Sequence, residues 1–227
     1  MTFEKLISFA DIITEKISGL QLGILEIHNF QVSKYSESVQ HAYHTLFSYI
    51  ENKYADVPPS SDQIVSSVRR MYRRIGWEPT RYRPSSEAMI RRILKRKGLY
   101  NINNAVDLGN VASTWFHLPM GLYDMNKIDG KIEIDVGKAN ETYKGLSVDL
   151  IHAEGKLILR DNLGIFGNPT ADSERTCIDS QTKDVMAMFF TPPEVERIHL
   201  EETLNYLTHL YTKETVSASF NSYIIQC

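Results

Sequence analysis

The apolar residues of this chain change their spacing partway along, and that change limits the folds open to it. Between residues 36 and 116 they recur at helical intervals; between Lys131 and Thr191 they alternate. Ser36 to Tyr54 is helical and ends at Val57-Pro58-Pro59. Ser60, with Gln63 three residues on, has a capping-box arrangement that opens a second helix. Its stripe of Ile64, Val68, Met71 and Ile75 runs to a stop at Gly76. A third helix spans roughly Ser86 to Lys97 and closes at Gly98. A fourth covers Asn103 to Phe116, with Ala105, Leu108, Ala112 and Trp115 at core spacing. Strands are expected over 131–136, 146–152, 156–160 and 184–191, with a tight loop at Gly164, Gly167, Asn168 and Pro169. Short strands at Phe3–Phe9 and Leu20–Ile27, parted by a helix near Asp11–Ser18, precede this array. A helix after Pro192-Pro193 and a strand over Ser217–Ile225 follow it. The expected fold is α+β, one central mixed sheet flanked by helices, with barrel-like closure left open.

Charge is as uneven as the periodicity. Eleven of the 25 Lys and Arg residues fall between Arg69 and Lys97, beside only two acids, Glu78 and Glu87. That segment carries about +9 and the remainder about −12, which suggests an anionic partner meeting one face, RNA first. Arg69, Arg70 and Arg73 lie across the helix from the apolar stripe. Arg91, Arg92, Lys95 and Arg96 lie across from Met89, Ile90, Ile93 and Leu94. The plain alternative is a solvated face shared by two helices. Tyr72, Trp77 and Tyr82 interleave with the arginines and suit base stacking or packing; Trp77, just after Gly76, reads as packing.

Cys177 and Cys227 have no zinc-like spacing, and His41 and His44 lack the His-Glu-x-x-His pattern, so no metal and no cofactor is expected. No Ser or Cys nucleophile motif is present. The first residues lack a secretory pattern and no apolar run has spanning length, so a reduced cytoplasm is the expected home.

The run Gly98-Leu99-Tyr100-Asn101-Ile102-Asn103-Asn104-Ala105-Val106-Asp107-Leu108-Gly109-Asn110 resembles the opening of the B3/B4 domain of the phenylalanyl-tRNA synthetase beta subunit. The resemblance continues through Leu118-Pro119-Met120-Gly121-Leu122-Tyr123-Asp124-Met125-Asn126-Lys127-Ile128-Asp129-Gly130 and resumes at Glu174-Arg175-Thr176. It implies a single B3/B4-like domain over 1–227, with a family-like core about 60–190 completed by 1–58 and 192–227. In the synthetase this domain is the editing module, which hydrolyses tyrosine wrongly esterified to the phenylalanine tRNA. A chain of 227 residues then reads as a freestanding member acting on aminoacyl-tRNA in trans. The resemblance assigns Glu174 to the glutamate that reads the misacylated side chain and Asn110 to a pocket asparagine. Gly109 stands where the synthetase usually has threonine, and Gly121 where it has a pocket histidine. His117 is a candidate replacement for that imidazole. Ala187 and Met188 match the pocket wall, and Phe189 and Phe190 replace glycines there.

Deacylation is attack of water on an ester, needing a positioned water, oxyanion donors and a selective pocket. Backbone N–H groups near Gly164 and Gly167 are the candidate donors, Asn110 holds water or ribose, and Glu174 binds substrate or acts as base. Bland readings stand beside these. Asn103, Asp107, Asn110 and Thr114 form a polar stripe suited to water, with Asp107 suited to bracing backbone. Glu174-Arg175 suits an exposed turn, and His117 a helix end. A noncatalytic RNA-binding module and an amino-acid-binding protein are the competing functions. The hydrolase reading requires one hollow bordered by both Asn110 and Glu174.

Overall fold

A computed structural model describes the chain except for Met1, Thr2 and Ser147. Among the described residues, six α-helices and eleven strands follow in the order β1 (Ile7–Phe9), α1 (Asp11–Lys16), β2 (Gln21–His28), α2 (Glu37–Lys53), α3 (Gln63–Arg74), α4 (Ser85–Leu94) and α5 (Asn104–Phe116). Then come β3 (Met120–Asp124), β4 (Ile132–Val136), β5 (Thr142–Tyr143), β6 (Ile151–His152), β7 (Leu157–Asp161), β8 (Gly164–Asn168) and β9 (Ala171–Asp172). β10 (Val185–Thr191), α6 (Arg197–Glu214) and β11 (Ser219–Gln226) end the chain.

The fold is α+β, as the periodicity indicates, and the strands divide between two main sheets. One is five-stranded, β1-β4-β7-β8-β9, with β1 parallel to β4 and the other pairs antiparallel. The other is four-stranded and antiparallel, β11-β2-β10-β3. Neither closes into a barrel. Helix α6 packs on β2 and α5 on β3, while α2 and α4 pack outside α5. All seven residues of β10 are buried, which explains its unbroken apolar run: it is covered on both faces.

Local chemistry sets the boundaries. Ser36 caps α2 by accepting from the Val39 N–H at 3.2 Å. The cap of α3 is Asp62, which accepts from Ile64 and Val65, and not Ser60; Pro59–Ser61 forms a separate 3-10 turn. Asn103 caps α5 through Val106 N–H at 2.9 Å. Two expected elements are different in the structure. The segment 146–152, which includes the undescribed Ser147, contributes only Ile151 and His152 to pairing; exposed Leu146, Val148 and Leu150 alternate without belonging to a ladder. Gly164, Gly167 and Asn168 are not a loop but strand β8, paired to β7 across a bulge at Leu159/Arg160. Gly167 reflects close packing against Tyr123, whereas Gly164 has open space around it and sits at φ +113°.

Substituting Asn103→Ala removes one cap from the helix on which the polar stripe is built. A loss of about 1 kcal/mol in urea unfolding is expected, and Asn103→Asp is expected to retain most of it.

Candidate functional site

The polar stripe of α5 works mainly on backbone. Asn104 ties the incoming loop by accepting from Ser33 N–H at 2.9 Å and donating to Gln31 O at 3.0 Å and Glu214 at 2.9 Å. Both Asp107 oxygens accept from Ile102 N–H at 3.1 Å, and burial pushes this carboxyl up to about 6. Thr114 donates to Asn110 O at 2.7 Å. Asn110 is half-buried, and its side chain makes no hydrogen bond among the described residues. Gly109 is a packing position: a Cβ there would lie 2.5 Å from Met120 Cε, so a side chain would require the methionine tip to move.

Gly121 is the most telling of the expected positions. A Cβ built on it would fall 1.9 Å from the Tyr123 hydroxyl oxygen and 2.4 Å from Cζ of the same ring. Gly167, on β8 of the other sheet, would place a Cβ 2.7 Å from that hydroxyl. The Tyr123 ring therefore occupies the space that both glycines leave open. It is fully buried and meets Phe166 edge-on, with centroids 5.0 Å apart. Met188 pairs with Gly121 in register, and Ala187, Met188, Phe189 and Phe190 are all inaccessible. Where the resemblance to the editing domain implies a pocket wall, the chain has its own packed interior.

The Tyr123 hydroxyl faces the Asp172 carboxyl of β9, yet neither that oxygen nor Asp172 Oδ1 has a hydrogen-bond partner of good geometry. Asp172 Oδ2 accepts from Leu122 N–H only weakly, at 3.4 Å. Burial is the main cause pushing the Asp172 carboxyl up to about 7, and burial likewise holds the Tyr123 phenol well above its usual range. Tyr143 completes the group, donating to Ala171 O and accepting from Asn168 at 2.6 Å each. Sequence reasoning missed Asp172, and it saw Tyr123 only as part of a motif. The available signal was Gly121-x-Tyr123: residues two apart on a strand share a face, so a large ring beside a glycine tends to lean over it.

Glu174 lies apart from this interior. Its carboxylate is exposed and pairs with Lys144 Nζ at 2.6 Å. The following residue turns inward: Arg175 grips the inaccessible Asp161 carboxylate with two bonds of 2.8 and 2.9 Å. Gly164, at the start of β8, offers its carbonyl to Arg175 at 3.4 Å. His117 ends α5 in the left-handed region, φ 64°, with 1% exposure. Its carbonyl accepts from Ser86, its ring meets Tyr54 edge-on, and Nε2 has no partner. Burial first, then nearby Lys53, lowers this imidazole to about 4, so it is neutral and sealed at physiological pH. Five surface clefts of about 250 to 380 Å³ formed by described residues are lined by residues other than Asn110, Gly121 and Glu174. Among the described residues, no group of three or more His, Cys, Asp or Glu could hold a metal ion, and no helix is long and apolar enough to cross a membrane.

The basic segment splits into two populations. Glu87 is fully buried, and Arg69 and Arg91 reach it at 2.9 and 2.8 Å, with Arg83 at 3.7 Å. Arg92 lies over the Tyr100 ring at 4.2 Å, Arg73 lies 3.9 Å from Glu78, and Arg74 meets Glu194. Arg70, Arg81, Lys95, Arg96 and Lys97 are exposed and pair with no carboxylate among the described residues. Helix α4 ends at Leu94, so Lys95, Arg96 and Lys97 form its C-terminal turn, where the helix dipole favours cations. Tyr72 and Trp77 stack in the interior with centroids 4.1 Å apart, which makes them packing residues.

The sequence profile of the B3/4 domain matches residues 67–209, and the chain belongs to that family. It is 30% identical over 117 residues to the phenylalanine–tRNA ligase beta subunit of Fusobacterium nucleatum subsp. nucleatum, an alignment covering 48% of this chain and 14% of that protein. It is 20% identical over 205 residues to YhzB of Bacillus subtilis strain 168, described as uncharacterized, covering 90% of this chain and 92% of that one. An N-terminal fragment of the phenylalanyl-tRNA synthetase beta-subunit from Pyrococcus horikoshii aligns with 97% of this chain and 53% of its own, at 12% identity and a TM-score of 0.48.

Two measurements check the filled slot. Gly121→Ala is expected to destabilise the protein by about 1–3 kcal/mol through overpacking against Tyr123, and to cost far less in a Tyr123→Ala background. A double-mutant cycle in urea reads the difference. For Asp172, the folded-state pKa lies above the unfolded value, so its favourable contribution is fully present below about pH 4 and is lost as pH rises through 7. Asp172→Asn should therefore gain in Tm relative to the parent as pH goes from 5 to 8; an offset constant with pH would contradict the assignment.

Proposed function

We propose that the protein binds tRNA through its free cations and that its family pocket is closed by its own Tyr123. The observation that carries this reading is the combination, on a B3/4 domain, of unpaired exposed cations with a filled interior slot. Electrostatic attraction to phosphate needs only accessible charge, which Arg70, Lys95, Arg96 and Lys97 supply. Arg70 is already oriented: Ser66 and Ser67 accept from its guanidinium at 2.9 and 2.8 Å, beside a cleft of about 380 Å³. Arg69 and Arg91 act instead on stability, by neutralising Glu87.

Ester hydrolysis in trans is the second reading, and Asp172 favours it. A carboxyl raised to about 7 is suited to general-base work, and the Tyr123 ring fills the space beside it. In that reading Tyr123 swings aside when aminoacyl-tRNA arrives, and exposed Glu174 meets the substrate at the rim.

The experiment is a panel of correctly and incorrectly aminoacylated tRNAs, scored for binding and for deacylation. Salt-dependent binding without deacylation above the spontaneous rate is expected. Deacylation by the parent selects the second reading, and neither binding nor turnover rejects both. Arg96→Gln and Lys97→Gln together should reduce tRNA affinity with no change in Tm. Arg91→Gln should lower stability instead, by roughly 1–3 kcal/mol, since it weakens a charge-assisted pair to a buried carboxylate.

A further inference from the structure

One cation pair stands outside every contact network described so far. Of the half-buried Lys and Arg residues, Arg69, Arg91, Lys127, Arg160 and Arg175 each reach a carboxylate. Arg92 and Lys156 do not. Arg92 lies over the Tyr100 ring at 4.2 Å. Lys156 is different: its Nζ lies over the Tyr82 ring at 4.5 Å, and the Arg81 guanidinium lies 5.1 Å from the centroid of the same ring.

Two positive groups sharing one ring without an acid is an unfavourable arrangement. Burial disfavours the ammonium, and Arg81 repels it; in that order they lower the Lys156 pKa. Contact with one tyrosine face offsets only about 0.5–2 kcal/mol. The residues left undescribed are Met, Thr and Ser, so none of them supplies the missing carboxylate. The approach is open: Gly155, directly before Lys156 in the turn between β6 and β7, would place a Cβ with nothing within 4 Å, at φ +67°. Arg81 is exposed, so its planar fork remains available.

We propose that Arg81 and Lys156, seated on Tyr82, form a phosphate-binding site that takes a backbone phosphate of bound RNA. A phosphate between them replaces mutual repulsion by two charge-assisted contacts, one bidentate from arginine and one point-like from lysine. The site joins the basic segment, which carries Arg81, to a turn of the five-stranded sheet more than seventy residues away in sequence. It extends the cationic surface beyond residues 69–97. The RNA source rests on the tRNA-binding reading; the phosphate chemistry does not.

The test has two arms. In the first, a short fluorescein-labelled single-stranded RNA is titrated against the parent, Lys156→Gln, Arg81→Gln and Lys213→Gln at several salt concentrations. The Lys213 variant controls for loss of one exposed charge elsewhere. Lys156→Gln and Arg81→Gln should each weaken binding roughly threefold to tenfold and reduce the magnitude of the log–log salt slope by about 0.7, while Lys213→Gln changes neither. Equal effects from all three, or none from Lys156→Gln while the parent binds, overturn the site and leave RNA binding standing. The second arm needs no RNA: the Lys156 Cε resonance is followed through a pH titration with and without inorganic pyrophosphate. An upward move of the midpoint with pyrophosphate, absent in Arg81→Gln, supports the site even if the parent fails to bind RNA. No move in the parent overturns it.

Discussion

The two sheets of this protein meet around one aromatic ring, and the consequences of that contact run through the whole molecule. Tyr123 leaves β3 of the four-stranded sheet, crosses Gly121 on its own strand, and reaches Gly167 and Phe166 on β8 of the five-stranded sheet. Neither glycine tolerates a side chain while the ring stays there. The contact thereby couples sheet-to-sheet packing to the position where the editing-domain resemblance implies a histidine. Gly121 leaves no void, because the ring two residues away folds over it. Dense interiors favour this outcome, since an empty apolar gap forfeits dispersion contacts on every side.

The carboxylate beside the ring is less satisfied than the other buried acids that arginines hold. Asp161, whose side chain is inaccessible, is gripped twice by Arg175, and Glu87 is held by arginines on two elements. Asp172 and Tyr123 have only each other and a long backbone contact. Other buried polar atoms also lack partners, among them His117 Nε2 and Tyr72 Oη, but only here, among the described residues, do an acid and a phenol face each other unsatisfied. The same contrast divides the cations. Arg69, bound to buried Glu87, ties α3 to α4, Arg175 secures Asp161 at the end of β7, and the exposed cations without partners are accessible to solvent.

Much of the fold was legible because it depends on local periodicity. Helices α2 to α6 and strands β2, β4, β7, β10 and β11 follow from apolar spacing, caps and prolines. The division into two sheets was not legible, because strand partners are chosen by long-range packing that period-two alternation does not encode. Leu146, Val148 and Leu150 show the limit: they alternate like a strand but have no ladder. Gly164 and Gly167 were read as a turn because glycine in isolation signals a bend, whereas at Gly167 its role is to admit a ring from the other sheet. Of the expected site, the motif residues Asn103, Asn104 and Asp107 were visible as a group, but their hydrogen bonds to backbone were not. Asn110 and Glu174 were expected to share a hollow; one is half-buried on α5, and the other pairs with Lys144 at the surface.

The closed slot can be probed directly with a small phenol. Calorimetric titration of p-cresol into the parent and into Tyr123→Ala compares a filled slot with one from which the ring has been removed. Uptake by the variant, with a rise in its Tm, and none by the parent is the expected result. Equal uptake by the parent would show an open hollow beside Gly121 and contradict the account.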